Sequence, residues 1–596
     1  MFSIIVSQFW PDQSWRSAHQ SFFRGQIGLF IPLLLIFGLL PAQNDVRLPR
    51  CFGDHMVLQQ NQNNPIWGWA KPGQRISIQT SWGANAQATT DKHGRWQTLL
   101  PTPAHGTGHR LTVRGQKSLV FKNVAIGEVW ICLGQSNLGW SAGNSFEFEK
   151  ELDVNLPHFR IFKSAREHWH APLELNRDRL CRWKPCDTTS AAETSAVAYY
   201  FGKTLQLELG VPVGIIQRAY AGTPIEGWLP WEIQQQDPRA ATHKSNLDQN
   251  AQRQIRNRGE TPVTAMQTFR KELDLYHAKI DSGEIMKNRF KPLAPPTITK
   301  PANLGHQYPG HIFNAMVYPI RPYGIRGMIW YQGERNSKDS RQAEHYQTQL
   351  TQLIRFYRKT WHEHSGGNVP DDFPFQFTQL PSWTHHQQQP VEGITAPWAV
   401  NRESMRQVNQ SLPNTGMVVT IDTGDPIELH PRNKKPIGLR HAYLALQQTY
   451  DKRIVGQGPQ LVSQRILENK IILTFDSTGT GLMGAPNADL NAFAISGNDQ
   501  VWTWAKTQIQ GNTLAVWSDQ VPHPVAVRYA WAMNPSRKNL LYNREGFPAS
   551  PFRTDTWGFY KDSDPIITVR KPEKPNAYQS VDWVRPLMHP QPNSPD

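Results

Sequence analysis

The stretch AIGEVWICLGQSN, residues 125–137, decides the fold. Residues 125–133 form a nearly continuous apolar run, the pattern of a parallel strand buried on both faces. Gly134-Gln135-Ser136-Asn137 follows at once, so a serine stands where the strand becomes a loop. A hydroxyl there projects above the sheet edge, within reach of a base, and neighbouring backbone N–H groups can cradle an oxyanion. Alone, the four residues read better as an ordinary polar turn.

Outward from that strand the α/β pattern continues. Residues 194–209 have helical spacing and 212–217 (PVGIIQ) form a short apolar strand, so strand, helix and strand succeed one another. After a polar insertion at 231–301 the pattern resumes at Ile312, with strands expected at 326–331, 373–380 and 416–421 and a helix at 345–361. A chain of 596 residues exceeds the roughly 250 to 300 that one core can serve. Short alternating stretches with Gly, Pro and Asn turns predict a β-sandwich over 43–123 and a second β-domain over 455–560, flanking an α/β domain at 124–454. The Pro-rich tail, 561–596, is expected to be irregular.

Three more motifs sit where a predicted strand ends. Gly222-Thr223-Pro224 follows the strand ending near Ala219, and a glycine there lets its N–H approach a reacting oxygen. The strand at 326–331 runs into Gln332-Gly333-Glu334, where the Gln332 amide can donate to the same oxyanion and Glu334 and Asn336 can tie the loop down. Glu428-Leu429-His430-Pro431 comes after the fourth strand. Histidine, with an ordinary pKa of about 6.5, takes a serine proton near neutral pH when a carboxylate fixes its tautomer. Glu428, Asp425 and Asp422 are all close enough in sequence to be that carboxylate. Each motif has a plain-turn alternative, but their shared position at carboxyl ends of strands, where α/β sheets gather ligands, joins them into one site. Gln135, Asn137, Glu334 and Asn336 are expected around its substrate pocket. His385 and His386 read as solvated side chains, and no ligand pair has metal-site spacing, so no metal or cofactor is expected.

The formal charge of +15 admits a polyanion partner, yet Lys and Arg are scattered, and solubility or mild attraction for an anionic substrate explains the charge without nucleic acid. The uncharged run at 27–40, IGLFIPLLLIFGLL, is shorter than the about 20 residues a bilayer requires. With Arg16 and Arg24 before it and Ala42 after it, residues 1–42 read as a signal peptide, an uncleaved anchor being the alternative. Export permits disulfides, and Cys181 with Cys186 is the expected pair.

Taken in order, these blocks resemble the sialate O-acetylesterase family of SGNH-type hydrolases across nearly all of the mature chain. Cys51-Phe52-Gly53-Asp54-His55-Met56-Val57-Leu58-Gln59 and Trp67-Gly68-Trp69-Ala70 are similar to its amino-terminal β-domain. GQSN at Ser136, GTPIEGW from Gly222, IWYQGE from Ile329 and HPRNK from His430 resemble its catalytic blocks, and PVAVRYAW from Pro524 with PASPFR from Pro548 its carboxyl-terminal region. The resemblance implies an SGNH, flavodoxin-like three-layer domain with a parallel sheet. It implies Ser136 as nucleophile, His430 as general base, Glu428 or Asp425 as its carboxylate, and an oxyanion hole of the Ser136 and Gly222 N–H groups with the Gln332 side chain. The implied partner is an O-acetylated carbohydrate, with no cofactor, nucleic acid or stable membrane partner, and the protein is expected to be secreted or periplasmic. An acetylxylan or other polysaccharide esterase, and a non-catalytic carbohydrate-binding protein, are the alternatives. Leu138, Arg335 and Tyr220-Ala221 depart from the family's usual Met, Ser and Trp-Gly; the last two lie beside the pocket and bear on substrate choice.

Overall fold

The run at 125–133 lies in one long strand, Ser118–Gly134 (β1), whose residues are all buried from 124 onward. The computed structural model describes residues 46–146, 148–151, 153–176, 181–259, 261–281, 305–484, 490–535 and 539–572. They belong to one compact unit, Asp45–Asp596; the expected signal peptide lies outside the described residues.

Beside β1 stand Asn155–Lys163 (β2), Arg182–Asp187 (β3), Val213–Ala219 (β4), Gly327–Tyr331 (β5), Phe375–Thr378 (β6) and Thr415–Val418 (β7). Their order is β7-β6-β5-β1-β4-β2-β3, parallel throughout except for the antiparallel edge strand β3. Successive residues of β1 bury on opposite faces, as a pleated strand requires. Val129, Ile131 and Leu133 join a core with Leu350, Tyr357 and Met405. Trp130 and Cys132 join another with Phe201, Leu205 and Leu444. Both faces are therefore covered by helices: Ala196–Leu209 (α1) and Lys435–Gln448 (α4) on one, Ser340–His364 (α2) and Pro397–Ser411 (α3) on the other. The fold is α/β with a mostly parallel central sheet.

Local chemistry sets the element ends. α1 starts after Ser195, whose side chain accepts from Ala198 N, and stops at Gly210, which adopts φ 67°. Among the described residues, the insertion at 231–301 contributes a short helix, Trp231–Gln234, and two long ones, Pro238–Arg258 and Pro262–Asp281.

β1 also continues upstream into another environment. Its first half alternates in burial and pairs antiparallel with Gly106–Arg114, while Val57–Gln59 runs parallel beside Ala125 to Gly127. One continuous strand thus carries amino-terminal strands and the central sheet together. Toward the carboxyl end, Gln460–Leu467, Lys470–Asp476, Thr513–Trp517 and Lys506–Gln510 form one antiparallel sheet, and Trp502–Trp504, Phe493–Ser496, Ala526–Tyr529 and Phe552–Arg553 another. Arg402 of α3 fastens this region to the central sheet. Its buried guanidinium donates to Leu380 O (2.9 Å), Pro381 O (2.6 Å), Ala532 O (2.6 Å) and Met533 O (3.0 Å).

The expected Cys181–Cys186 bridge is not formed: these two thiols, like those of Cys51 and Cys132, are buried and unbridged. The two side chains enter different cores, Cys181 with Trp183 and Phe162, Cys186 with Phe159 and Tyr199.

Candidate active site

Ala219 of β4 and Tyr331 of β5 both stand in register with Gly134, so three of the four motif loops leave the sheet at one point. Glycine is required there. Gly134 has φ 155°, and a Cβ would lie 2.1 Å from Tyr331 O, a separation no side chain tolerates. The gathered ends are stitched together, Gln135 N donating to Tyr331 O (3.1 Å) and Tyr220 N to Gly134 O (3.0 Å). Ser136 then opens a one-turn helix, Ser136–Gly139, whose leading N–H groups have no acceptor within the turn.

The fourth loop joins β7 to α4 and closes over this point. His430 Nε2 lies 2.8 Å from Ser136 Oγ, a contact between residues 294 apart in sequence. Trp140 stacks against the imidazole, centroids 5.7 Å apart and planes inclined by 16°. Burial holds the His430 pKa below its ordinary 6.5; the Lys434 and Lys571 charges push the same way and Glu428 opposes them. An imidazole so placed is neutral near pH 7 and can accept a proton.

The three carboxylates near His430 in sequence have different occupations. Asp422 makes a buried bidentate pair with Arg440, 2.6 Å at each oxygen. Asp425 Oδ1 accepts from Ile427 N and Glu428 N, both at 2.8 Å, and so shapes the turn that leads to the histidine. Glu428 is 45% exposed at its side chain and stands 3.6 Å from Lys571. The Glu428 charge acts on His430, raising its pKa against the effect of burial.

Gly222 turns the β4 loop with φ 72°, with His306 Nε2 3.9 Å from where a Cβ would stand. Gln332, expected to point its amide at the oxyanion, is fully buried instead. Its Nε2 is directed at Asn336 Oδ1 (2.8 Å), Thr223 O (3.2 Å) and Gln135 Oε1 (3.3 Å), and its Oε1 accepts from Tyr346 O–H (2.8 Å). A strand-end amide surrounded by acceptors binds its own loops before any ligand. The residues expected around the substrate pocket lie in the same buried layer. Gln135, Asn137, Glu334 and Asn336 are all buried. Asn336 Nδ2 donates to Glu226 Oε2 (2.8 Å), its Oδ1 accepts from Ile225 N (2.8 Å), and Gln349 Nε2 donates to Glu226 Oε1 (2.7 Å). Asn137 donates to Glu334 Oε1 and to Leu429 O (3.2 Å). These groups form a polar frame beneath Ser136. Among the described residues no cluster of three or more His, Cys, Asp or Glu is disposed to hold a metal ion.

A family model described as carbohydrate esterase, sialic acid-specific acetylesterase, matches residues 302–444. The sialate O-acetylesterase of Rattus norvegicus is 26% identical over 564 residues, 88% of this chain and 97% of that one, and its Homo sapiens counterpart is 24% identical over 562 residues, 88% and 95% of the two chains. A solved carbohydrate acetylesterase from Xanthomonas citri is 29% identical, with a TM-score of 0.68, covering 86% of this chain and 100% of that one. The chain is therefore similar to sialate O-acetylesterases over most of its length, and a carbohydrate esterase model matches part of it. It is a carboxylic ester hydrolase.

Sequence reading missed the residues that act through contacts. Trp140 has no local pattern to mark it, four residues past the serine. Arg440 looks like any helical arginine until Asp422 is seen against it, and Glu226 and Gln349, 123 residues apart, meet only in the fold. Lys434 was visible as part of HPRNK, but nothing in the motif says that its ammonium is buried.

Proposed function

We propose that this esterase is a secreted serine hydrolase that removes O-acetyl groups from sugars, with Ser136 as nucleophile and His430 as general base. One observation carries the reading: the 2.8 Å approach of His430 Nε2 to Ser136 Oγ across two loops. His430 takes the hydroxyl proton as Oγ bonds to the acetyl carbon, and the carbonyl pair moves onto oxygen. The N–H groups of Ser136 and Gly222 receive that oxyanion, each donor contributing about 10²-fold to 10³-fold in kcat. The tetrahedral carbon then expels the sugar oxygen, which takes the proton from His430 and leaves as an alcohol. Water, deprotonated by the same imidazole, attacks the acetyl-Ser136 ester, and the imidazolium returns that proton to Ser136 Oγ as acetate is released. Gln332 serves by holding Asn336 and Thr223.

The architecture proposed with this mechanism is an SGNH-type domain at 124–454, with β-sandwich domains at 43–123 and 455–560, and export directed by residues 1–42. The relatives' names favour O-acetylated sialic acid as the substrate. Similarity to the Xanthomonas citri carbohydrate acetylesterase supports a second reading, an acetylated polysaccharide such as acetylxylan. Acetate release from both substrates by the wild type and by Ser136→Ala tests these readings. Turnover of acetylxylan but never of O-acetyl sialic acid rejects the sialate assignment, and equal rates for the two proteins reject the nucleophile.

A further inference from the structure

Four residues beyond the base, the Lys434 side chain is buried with no exposed surface. An ammonium withdrawn from water is expensive unless it is paired and hydrogen-bonded, so its partners indicate what it does. Its Nζ donates to Asn137 Oδ1 at 2.5 Å and lies 5.5 Å from the centre of the Tyr331 ring. The Asn137 amide donates onward to Glu334 Oε1 and to Leu429 O, 3.2 Å away. One side chain therefore connects the loop of Ser136, the loop after β5, the backbone beside His430 and the segment leading into α4.

An asparagine amide has nearly the same shape in either orientation, so only its partners choose between them. Reversed, Asn137 would turn its NH2 toward the ammonium and its oxygen toward the Glu334 carboxylate and the Leu429 carbonyl. Each contact would become repulsive. The Lys434 charge thus selects the orientation that ties Leu429, the neighbour of His430, to Asn137, the neighbour of Ser136. Glu334 completes the chain from the far side, its Oε2 buried without a hydrogen-bond partner among the described residues. Burial lowers the Lys434 pKa to about 7 and raises that of Glu334, each charge partly offsetting the shift of the other.

We propose that Lys434 is a positioning residue of the esterase reaction: through Asn137 it holds the nucleophile and base loops together. The inference rests on the assignment of Ser136 and His430 above. Two effects follow that an ordinary buried lysine would not produce together. The groups acting on His430 are Lys434, Lys571, Glu428, the stacked Trp140 ring and Ser136 Oγ. Those facing Lys434 are Asn137, Glu334, the Tyr331 ring and His430 itself. Loss of the Lys434 charge removes one cause that lowers the His430 pKa, so that pKa rises and the acidic limb of the rate profile moves to higher pH. Loss of the Asn137 amide breaks the tie and leaves the charge.

The test uses the full chain, 4-nitrophenyl acetate and pH profiles of kcat/KM for Lys434→Met, Asn137→Ala and Ser136→Ala, with circular dichroism to verify folding. Lys434→Met is expected to lose about 10²-fold in kcat with KM within about twofold, and to shift its acidic limb upward. Asn137→Ala is expected to lose a similar factor with the limb unmoved. A stationary limb or a wild-type kcat in Lys434→Met overturns the proposal. Where Lys434→Met fails to fold, Asn137→Ala decides, and a wild-type kcat there overturns it equally. Wild-type turnover by Ser136→Ala instead defeats the underlying assignment, so the two failures are distinguishable.

Discussion

The division of labour among the acidic residues before His430 makes a sharp prediction about Asp425 and Glu428. Asp425 Oδ1 accepts two backbone N–H groups at 2.8 Å. At about 1.5 to 3 kcal/mol for a hydrogen bond to a charged acceptor, the pair holds the loop with about 3 to 6 kcal/mol. The same loop is also held by Asp425 N donating to Ser382 O (3.2 Å) and by Asn137 at Leu429, so part of that sum survives the mutation. A loss of about 1.5 to 3 kcal/mol depopulates the productive histidine by roughly 10-fold to 10²-fold. Asp425→Ala is therefore expected to lose that much in kcat, whereas Asp425→Asn, which keeps an acceptor oxygen in place, should lose far less. Glu428 is nearly half exposed and faces an exposed lysine, so screening limits its charge to about 0 to 1 kcal/mol and Glu428→Gln to less than about fivefold. Steady-state hydrolysis of 4-nitrophenyl acetate at pH 8, with thermal melts to equalise folded fraction, measures all three. A loss of about 10³-fold or more in Glu428→Gln, with Asp425→Ala nearly intact, would refute the reasoning and make Glu428 the residue that orients the imidazole.

Because burial and two lysine charges lower the His430 pKa, the proton-accepting form persists below pH 6.5, and activity falls only as pH drops through that lowered value; a kcat/KM profile with its acidic midpoint above 6.5 would contradict this. Asp422→Asn leaves Arg440 as a buried unpaired cation and is expected to reduce stability by about 3 to 5 kcal/mol in urea denaturation while leaving the acidic midpoint unmoved. Gly134→Ala forces a methyl to within 2.1 Å of Tyr331 O, so β1 and β5 must separate where the site is assembled; a lower melting temperature and loss of turnover are expected together, read by calorimetry and acetate release.

Much of the core was legible because its signals are local. The run at 125–133 has to be buried on both faces, and its alternate residues do enter two cores. The strands from 212 to 421 and the helices at 194–209 and 345–361 follow from apolar spacing, with ends displaced by a few residues where caps such as Ser195 and Gly210 take over, whereas the helix Pro397–Ser411 was not read. The meeting of Ser136 with His430 was inferable from the order of the motifs. What remained hidden depends on which partner a polar group finds. Asp422, Asp425 and Glu428 are indistinguishable as carboxylates near a histidine until Arg440, two backbone N–H groups and Lys571 divide them. Gln332 carries the right donor for an oxyanion, yet three acceptors surround it, one on its own loop and two on other loops.

This distinction between frame and rim also locates the variation in the site. The frame consists of buried amides and carboxylates joining loops at fixed distances, so a substitution there breaks several contacts at once. The departures from the family pattern at Tyr220 and Arg335 lie on another side. The Tyr220 ring stacks on His306 with centroids 5.0 Å apart and planes 12° from parallel, and its hydroxyl is 3.2 Å from His168 Nδ1. Arg335 donates to Gln307 Oε1 at 2.8 Å. Both side chains therefore pack against the segment that follows the 231–301 insertion. A side chain can differ there without breaking the buried contacts that join Asn137 to Glu334 and Asn336 to Glu226.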